Sequence, residues 1–204
     1  MMDPRRIVHE ILSALKERAN PERAFHSCRY FRAYPGGYGE GDLFLGVTVP
    51  DQRKVARKYK DLSLDGCRLL LRSRYHEARL TALLILAGRA TRVAGDDEAL
   101  RPLVELYLAE RRWINNWDLV DTSAPKILGP YLMECNRRTL LDELAGSQSL
   151  WDRRIALLTT MHLIAAGEVN DALRIAEALV DDSHDLIQKA MGWVLRSVGD
   201  VRRD

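Results

Sequence analysis

Four helical segments open near residues 75, 116, 150 and 184, and their separation of roughly 34 to 41 residues constrains the fold more than any other feature. A helix pair of that length cannot bury its apolar face alone, so recurring pairs must stack on one another. The expected architecture is all-α, an α-solenoid of antiparallel HEAT-like helix pairs whose corresponding helices line one concave surface. Each of these helices carries a polar residue about one turn in: Arg79, Asp121, Arg154 and Lys189. The row reads basic, acidic, basic, basic, which predicts a concave basic face with one negative position.

The rest of the chain fits this frame. Apolar spacings of three and four predict helices over 3–18, 21–33, 50–60, 63–73, 75–92, 96–111, 116–133, 137–145, 150–166, 169–181 and 184–198. Asp3 and Pro4 open the first, and Pro50-Asp51 opens the third with proline at its first position. Tyr34 to Asp42 holds four glycines and a proline and reads as a loop, either a lid or a bridge between helices. Its two acids argue against direct phosphate contact. Phe44-Leu45-Gly46-Val47 follows as a short apolar plug. The organisation expected is a single domain, 1–204: N-terminal helices 1–33, Gly-rich loop 34–49 and repeat helices 50–198.

Composition narrows function only by exclusion. With 31 Lys and Arg against 29 acids, the net charge of +2 does not by itself call for nucleic acid, although those charges can segregate onto opposite faces. Three widely separated cysteines, Cys28, Cys67 and Cys135, give neither a disulfide framework nor a zinc motif, and the five histidines show no ligand spacing. No metal or cofactor is expected. The start of the chain reads as an amphipathic helix and not as a signal peptide, and no apolar run approaches membrane-spanning length. A cytoplasmic monomer without membrane contact is the simplest expectation.

The chemistry concentrates at Arg112-Trp113-Ile114-Asn115-Asn116-Trp117-Asp118-Leu119-Val120-Asp121. On a helix Trp117 and Asp121 share one face, and an indole beside a carboxylate is an odd pairing for a core. Asn115 or Asn116 is the expected N-cap and Asp118 a first-turn acid. Trp151 reads as a packing anchor. Trp193, in an apolar helix, reads by itself as core, although Gly192 before it suggests close approach of something large.

Three strings carry a resemblance: Asn116 to Asp121, Leu150-Trp151-x-x-Arg154-x-Ala156, and Ile187-Gln188-Lys189-Ala190-Met191-Gly192-Trp193-Val194-Leu195-Arg196. With Phe44-Leu45-Gly46-Val47 and Pro50-x-x-Arg53-Lys54, residues 44 to 198 resemble the AlkD-type DNA alkylation repair family of HEAT-like DNA glycosylases. The resemblance implies hydrolysis of the N-glycosidic bond of N3- or N7-alkylated purines in double-stranded DNA, without metal or cofactor. It implies that Asp121 is the catalytic carboxylate, that Trp117 and Trp193 cradle the lesion, and that Arg154 contacts the DNA backbone. Lys189, Arg79, Arg153 and Arg112 complete the expected DNA-binding set. Alkylation makes the purine a cationic leaving group, so a pre-placed carboxylate that stabilises an oxocarbenium-like sugar suits the chemistry. Indole faces attract cations at about 0.5 to 2 kcal/mol each, which favours charged lesions.

The Gly-rich loop is longer than in the best-known branch and is similar to that of a different branch. Relatives also continue beyond Arg202-Arg203-Asp204 with further basic helices. Two other functions fit the same fold: a catalytically silent module that binds damaged or irregular DNA, and a protein-binding scaffold.

Overall fold

The computed structural model describes residues 3–201; the first two residues and Arg202 to Asp204 lie outside them. Among the described residues are eleven α-helices and no strand: α1 Pro4–Lys16, α2 Pro21–Tyr30, α3 Val49–Lys58, α4 Leu64–Leu71, α5 His76–Arg92, α6 Asp97–Ala109, α7 Trp117–Tyr131, α8 Thr139–Ala145, α9 Leu150–Ala165, α10 Asn170–Ala178 and α11 Asp185–Val201. All eleven expected segments are present, mostly trimmed by a few residues at their ends.

The starts are set by capping side chains. Asp3, Asn20, Thr48, Ser63, Asp96, Asn116 and Ser149 each accept a backbone N–H of the first turn they precede. Each such cap contributes about 1 kcal/mol. Thr48 caps α3, so Pro50 stands second and not first. α5 has no side-chain cap. Instead the Leu43 carbonyl accepts the His76 N–H at 2.9 Å, and Leu43 N–H donates to Arg74 O at 3.1 Å. Leu43, immediately before the apolar plug, thus takes the place of a cap at the start of α5.

The helices pair as α4–α5, α6–α7, α8–α9 and α10–α11, while α5, α7, α9 and α11 pack on one another in succession and α3 extends the row beyond α5. This is the stacked helical repeat that the period implied. One core runs from Ile11 and Leu15 of α1 to Ile187 and Met191 of α11. Helix α9 packs between α7 and α11, with Ile155, Ala156, Leu157 and Leu158 fully buried. It approaches α7 so closely that a Cβ on Gly129 would lie 2.3 Å from the Cβ of His162.

The Gly-rich loop packs against the inner helices. Glu40 accepts the Gly36 N–H at 2.9 Å, and Tyr38 packs edge-on against Trp151 of α9. Glu77, 3 % exposed, receives the N–H groups of Leu45, Gly46 and Val47 at 2.7 to 3.3 Å. Gly46 has φ +76°, and a Cβ there would meet Asn20 O at 2.2 Å, so only glycine serves. Removing the carboxylate by Glu77→Ala strands three buried donors and is expected to cost about 3 kcal/mol in urea unfolding. A loss under about 1 kcal/mol would show that water replaces the carboxylate.

Candidate functional site

The N-terminus of α7 builds the site. Asn116 is the cap, its Oδ1 accepting the Trp117 N–H at 2.9 Å, which leaves Trp117 as the first helical residue. One turn on, Asp121 meets Arg154 of α9 in a two-pronged pair, Nε to Oδ1 and Nη2 to Oδ2, both 2.8 Å. The third nitrogen of Arg154 donates to Leu186 O at the start of α11. One guanidinium therefore ties three successive inner helices at Asp121. The Asp121 side chain is 18 % exposed and that of Arg154 6 %. Burial raises the Asp121 pKa above the ordinary carboxylate value, Arg154 opposes the rise, and the charge of nearby Asp118 adds to it.

Beside the pair opens a cavity of about 360 Å³, lined by Tyr30, Arg32, Tyr38, Trp117, Arg154 and Lys189, with Asp185 and Leu186 at its edge. Phe31 stacks on Trp117 at 5.3 Å and Tyr30 meets it edge-on at 5.7 Å, which fixes the indole. Lys189 is exposed and pairs with Asp185 at 3.1 Å. Trp193, one turn beyond Lys189 on α11, is 46 % exposed and is not the core residue that its apolar helix suggests. Gly192 borders open space. Trp151 is partly buried against the core, as an anchor should be.

Behind Trp117 lies a buried charged network. His76 is 2 % exposed, with Nδ1 3.1 Å from Asp42 and Nε2 2.8 Å from Asp118. Arg79 donates to the same Asp42 oxygen. The His76 ring stacks on Phe31 and Phe44 at 4.9 and 4.8 Å. Burial disfavours a charged imidazole, but Asp118 and Asp42 more than offset it and raise the His76 pKa to about 9. Burial likewise opposes the Asp42 charge, and bonds from His76 and Arg79 win and lower its pKa.

The expected basic row is therefore corrected in part. Arg79 is buried and faces Asp42, because the loop supplies an acid that needed a cation. Arg153 is engaged with Asp182 at 2.6 Å and with the Ser147 and Gln148 carbonyls, holding α9 to the turn before α11. Arg112 is exposed, its guanidinium 5.2 Å from the Trp113 ring. Of the expected set, the structure brings Trp117, Arg154 and Lys189 to one cavity; Asp121 adjoins it through its pair with Arg154, and Trp193 is not in its lining.

The sequence reading missed His76 and Asp42, and gave Asp118 only its place in the first turn. A signal existed: acids in a loop that must pack inward require cations, and His76 and Arg79 stand in the first turn of the next inner helix. Among the described residues no cluster of His, Cys, Asp or Glu could hold a metal, and no helix is long and apolar enough to cross a membrane.

A family model described as DNA alkylation repair enzyme matches residues 11–204. The chain belongs to the DNA alkylation repair enzyme family. That membership makes it a DNA alkylation repair protein. A solved structure, "Predicted DNA alkylation repair enzyme from Enterococcus faecalis", is similar with a TM-score of 0.67 at 18% identity, over 92% of this chain and 86% of that one. At that identity the likeness concerns the fold, and it extends over nearly all of this repair-family chain. No match is found among curated proteins.

Proposed function

We propose that this repair-family protein is a monofunctional DNA glycosylase that hydrolyses the N-glycosidic bond of N3- or N7-alkylated purines in duplex DNA. One observation carries the reading: a partly buried carboxylate, Asp121, is held in a two-pronged pair by Arg154, which lines an open cavity together with Trp117. A cationic purine leaves as a neutral base, so the enzyme's task is to stabilise positive charge on the sugar. Asp121 supplies a fixed negative charge, partly screened from water by its own burial and oriented by Arg154. Trp117 offers an aromatic face to the cationic base, and Trp193 a second one from α11. Arg154 acts as the orienting partner; its fork holds the carboxylate in one geometry and favours its ionised form.

The test is release of free 7-methylguanine and 3-methyladenine from methylated duplex DNA by the purified protein. No release under single-turnover conditions would overturn the proposal. It would favour a catalytically silent DNA-binding module, a reading that draws on the same ion pair, since Arg154 neutralises Asp121 in the resting protein.

Arg154→Ala separates orientation from backbone binding. Without the guanidinium, burial and the charge of Asp118 act on Asp121 unopposed, so the acidic limb of the rate profile should move to higher pH. The rate at neutral pH should fall by about tenfold or more. An unmoved acidic limb together with a flattened salt dependence of binding would instead make Arg154 a phosphate contact.

A further inference from the structure

Arg32 has φ +48° and is the one non-glycine residue in the left-handed region among the described residues. It directly follows Phe31, the C-cap of α2, at the place where helices commonly end on glycine. A side chain there is disfavoured, because its Cβ crowds the following carbonyl. The loop holds the conformation nonetheless. Ala33 N–H donates to Cys28 O at 2.8 Å and Gly39 N–H donates to Arg32 O at 3.2 Å. A Cβ on Gly37 would fall 1.9 Å from that same Arg32 oxygen. The Arg32 guanidinium lies 5.5 Å from the centre of the Tyr38 ring, and Tyr38 rests edge-on against Trp151, itself packed on the core. So braced, Arg32 lines the 360 Å³ cavity together with Trp117, Arg154 and Lys189. The other two cations there are engaged: Arg154 uses all three of its nitrogens, and Lys189 pairs with Asp185. The Arg32 guanidinium makes no hydrogen bond or ion pair among the described residues, and its one contact is the Tyr38 ring. Ending a helix does not call for arginine at this position, since glycine meets the same φ without strain. The side chain is kept for what it reaches.

We infer that Arg32 is a specificity-determining residue that donates to O6 of an N7-alkylated guanine held in the cavity. This rests on the glycosylase reading above, and its test is separable from it. On one edge guanine presents N7 and O6 as acceptors, whereas adenine presents N7 and an amino donor. Alkylation at N7 removes the shared acceptor and leaves the six-position to tell the two apart. A guanidinium, which only donates, bonds the 7-alkylguanine oxygen and finds no partner on 7-alkyladenine. The contact also has the right sense for the reaction. A cation beside a purinium gains little while the base is still charged. As the C1′–N9 bond breaks, its electron pair passes to the purine, which leaves neutral, while water adds at C1′ and gives up a proton. The bond from Arg32 to O6 strengthens along that course. Interactions stronger in the transition state than in the bound substrate raise the rate and not the affinity.

The experiment compares release of base from two duplexes, one carrying a single 7-methylguanine and the other a single 7-methyladenine. Rates are taken in single turnover at saturating protein and expressed over spontaneous depurination. Arg32→Gly should slow 7-methylguanine release by about tenfold or more and leave 7-methyladenine within about twofold. Arg32→Lys, which keeps a charge and a donor, should recover part of the 7-methylguanine rate. Glycine relieves the left-handed backbone, so the urea midpoint of Arg32→Gly should stand at or above that of wild type, and unfolding cannot account for the lost rate. Affinity for both duplexes should stay within about threefold. Equal slowing on the two lesions would overturn the inference. So would a loss confined to affinity, with a salt slope less negative by about 1, which marks a phosphate contact. If wild type and Arg32→Gly release 7-methylguanine equally fast, this inference falls and the glycosylase reading stands. If wild type releases neither base, both fall.

Discussion

Asp121→Asn is expected to reduce release of 7-methylguanine from methylated duplex DNA by about 10²-fold or more, the scale on which a preorganised electrostatic group acts. Binding of undamaged duplex should stay within about threefold, because a carboxylate is not a phosphate ligand. The substitution keeps size and shape but not bonding. Asn offers Arg154 one acceptor where Asp offered two, and its amide N–H₂ faces a guanidinium that cannot accept. Some stability is therefore lost, about 1 to 3 kcal/mol. Circular dichroism and urea unfolding of the same sample separate that loss from the loss of rate. Release at the wild-type rate by a folded Asp121→Asn protein would remove Asp121 from the chemistry.

The raised Asp121 pKa adds a second signature. In the proposed mechanism the carboxylate acts ionised, so the rate should climb with pH through a midpoint above that of an ordinary aspartate. The Arg154→Ala shift described above moves that midpoint further in the same direction.

The helices and their stacking were legible because period and capping are local properties: Asn116 before Trp117 and Ser149 before Leu150 announce their helices without reference to the rest of the chain. The approach of Trp117 and Asp121 was legible for the same reason, since four residues on a helix fix it. The pairing of Asp121 with Arg154 was not. The repeat register put both residues on the inner row, but whether neighbours in that row face solvent or one another depends on how closely α7 and α9 approach. Gly129 against His162 makes that approach close enough for the pair to form. Arg79 failed for a related reason. Its register position is that of an inner-row residue, but the loop from Tyr34 to Asp42 folds over it and brings Asp42 into contact. Trp193 shows the reverse case, in which an apolar helix presents an aromatic to solvent. Only stacking geometry decides these outcomes.

His76 should make stability depend on pH in a window where few other groups titrate. Its pKa is about 9 in the folded protein against 6.5 for an ordinary imidazole, so folding favours the protonated ring. The contribution is fully present below about pH 6.5 and is lost as pH rises through about 9, for a total on the order of 3 kcal/mol. The groups facing the ring are Asp42, Asp118 and Arg79, and the difference between wild type and a His76 variant isolates the ring. His76→Gln should cost about 3 kcal/mol at pH 6 in urea unfolding, since it leaves Asp118 without its cation. Its stability should then stay level between pH 6.5 and 9 where that of wild type falls. Parallel curves for the two proteins would show that the imidazole is neutral in the folded state. The consequence for the site follows from Phe31, which stacks on both His76 and Trp117. Losing the imidazolium loosens the ring that fixes the indole, so base release should fall with His76→Gln even at saturating DNA, where a binding defect alone would disappear. A variant that unfolds more easily yet releases base at the wild-type rate would confine His76 to holding α5, α7 and the loop together.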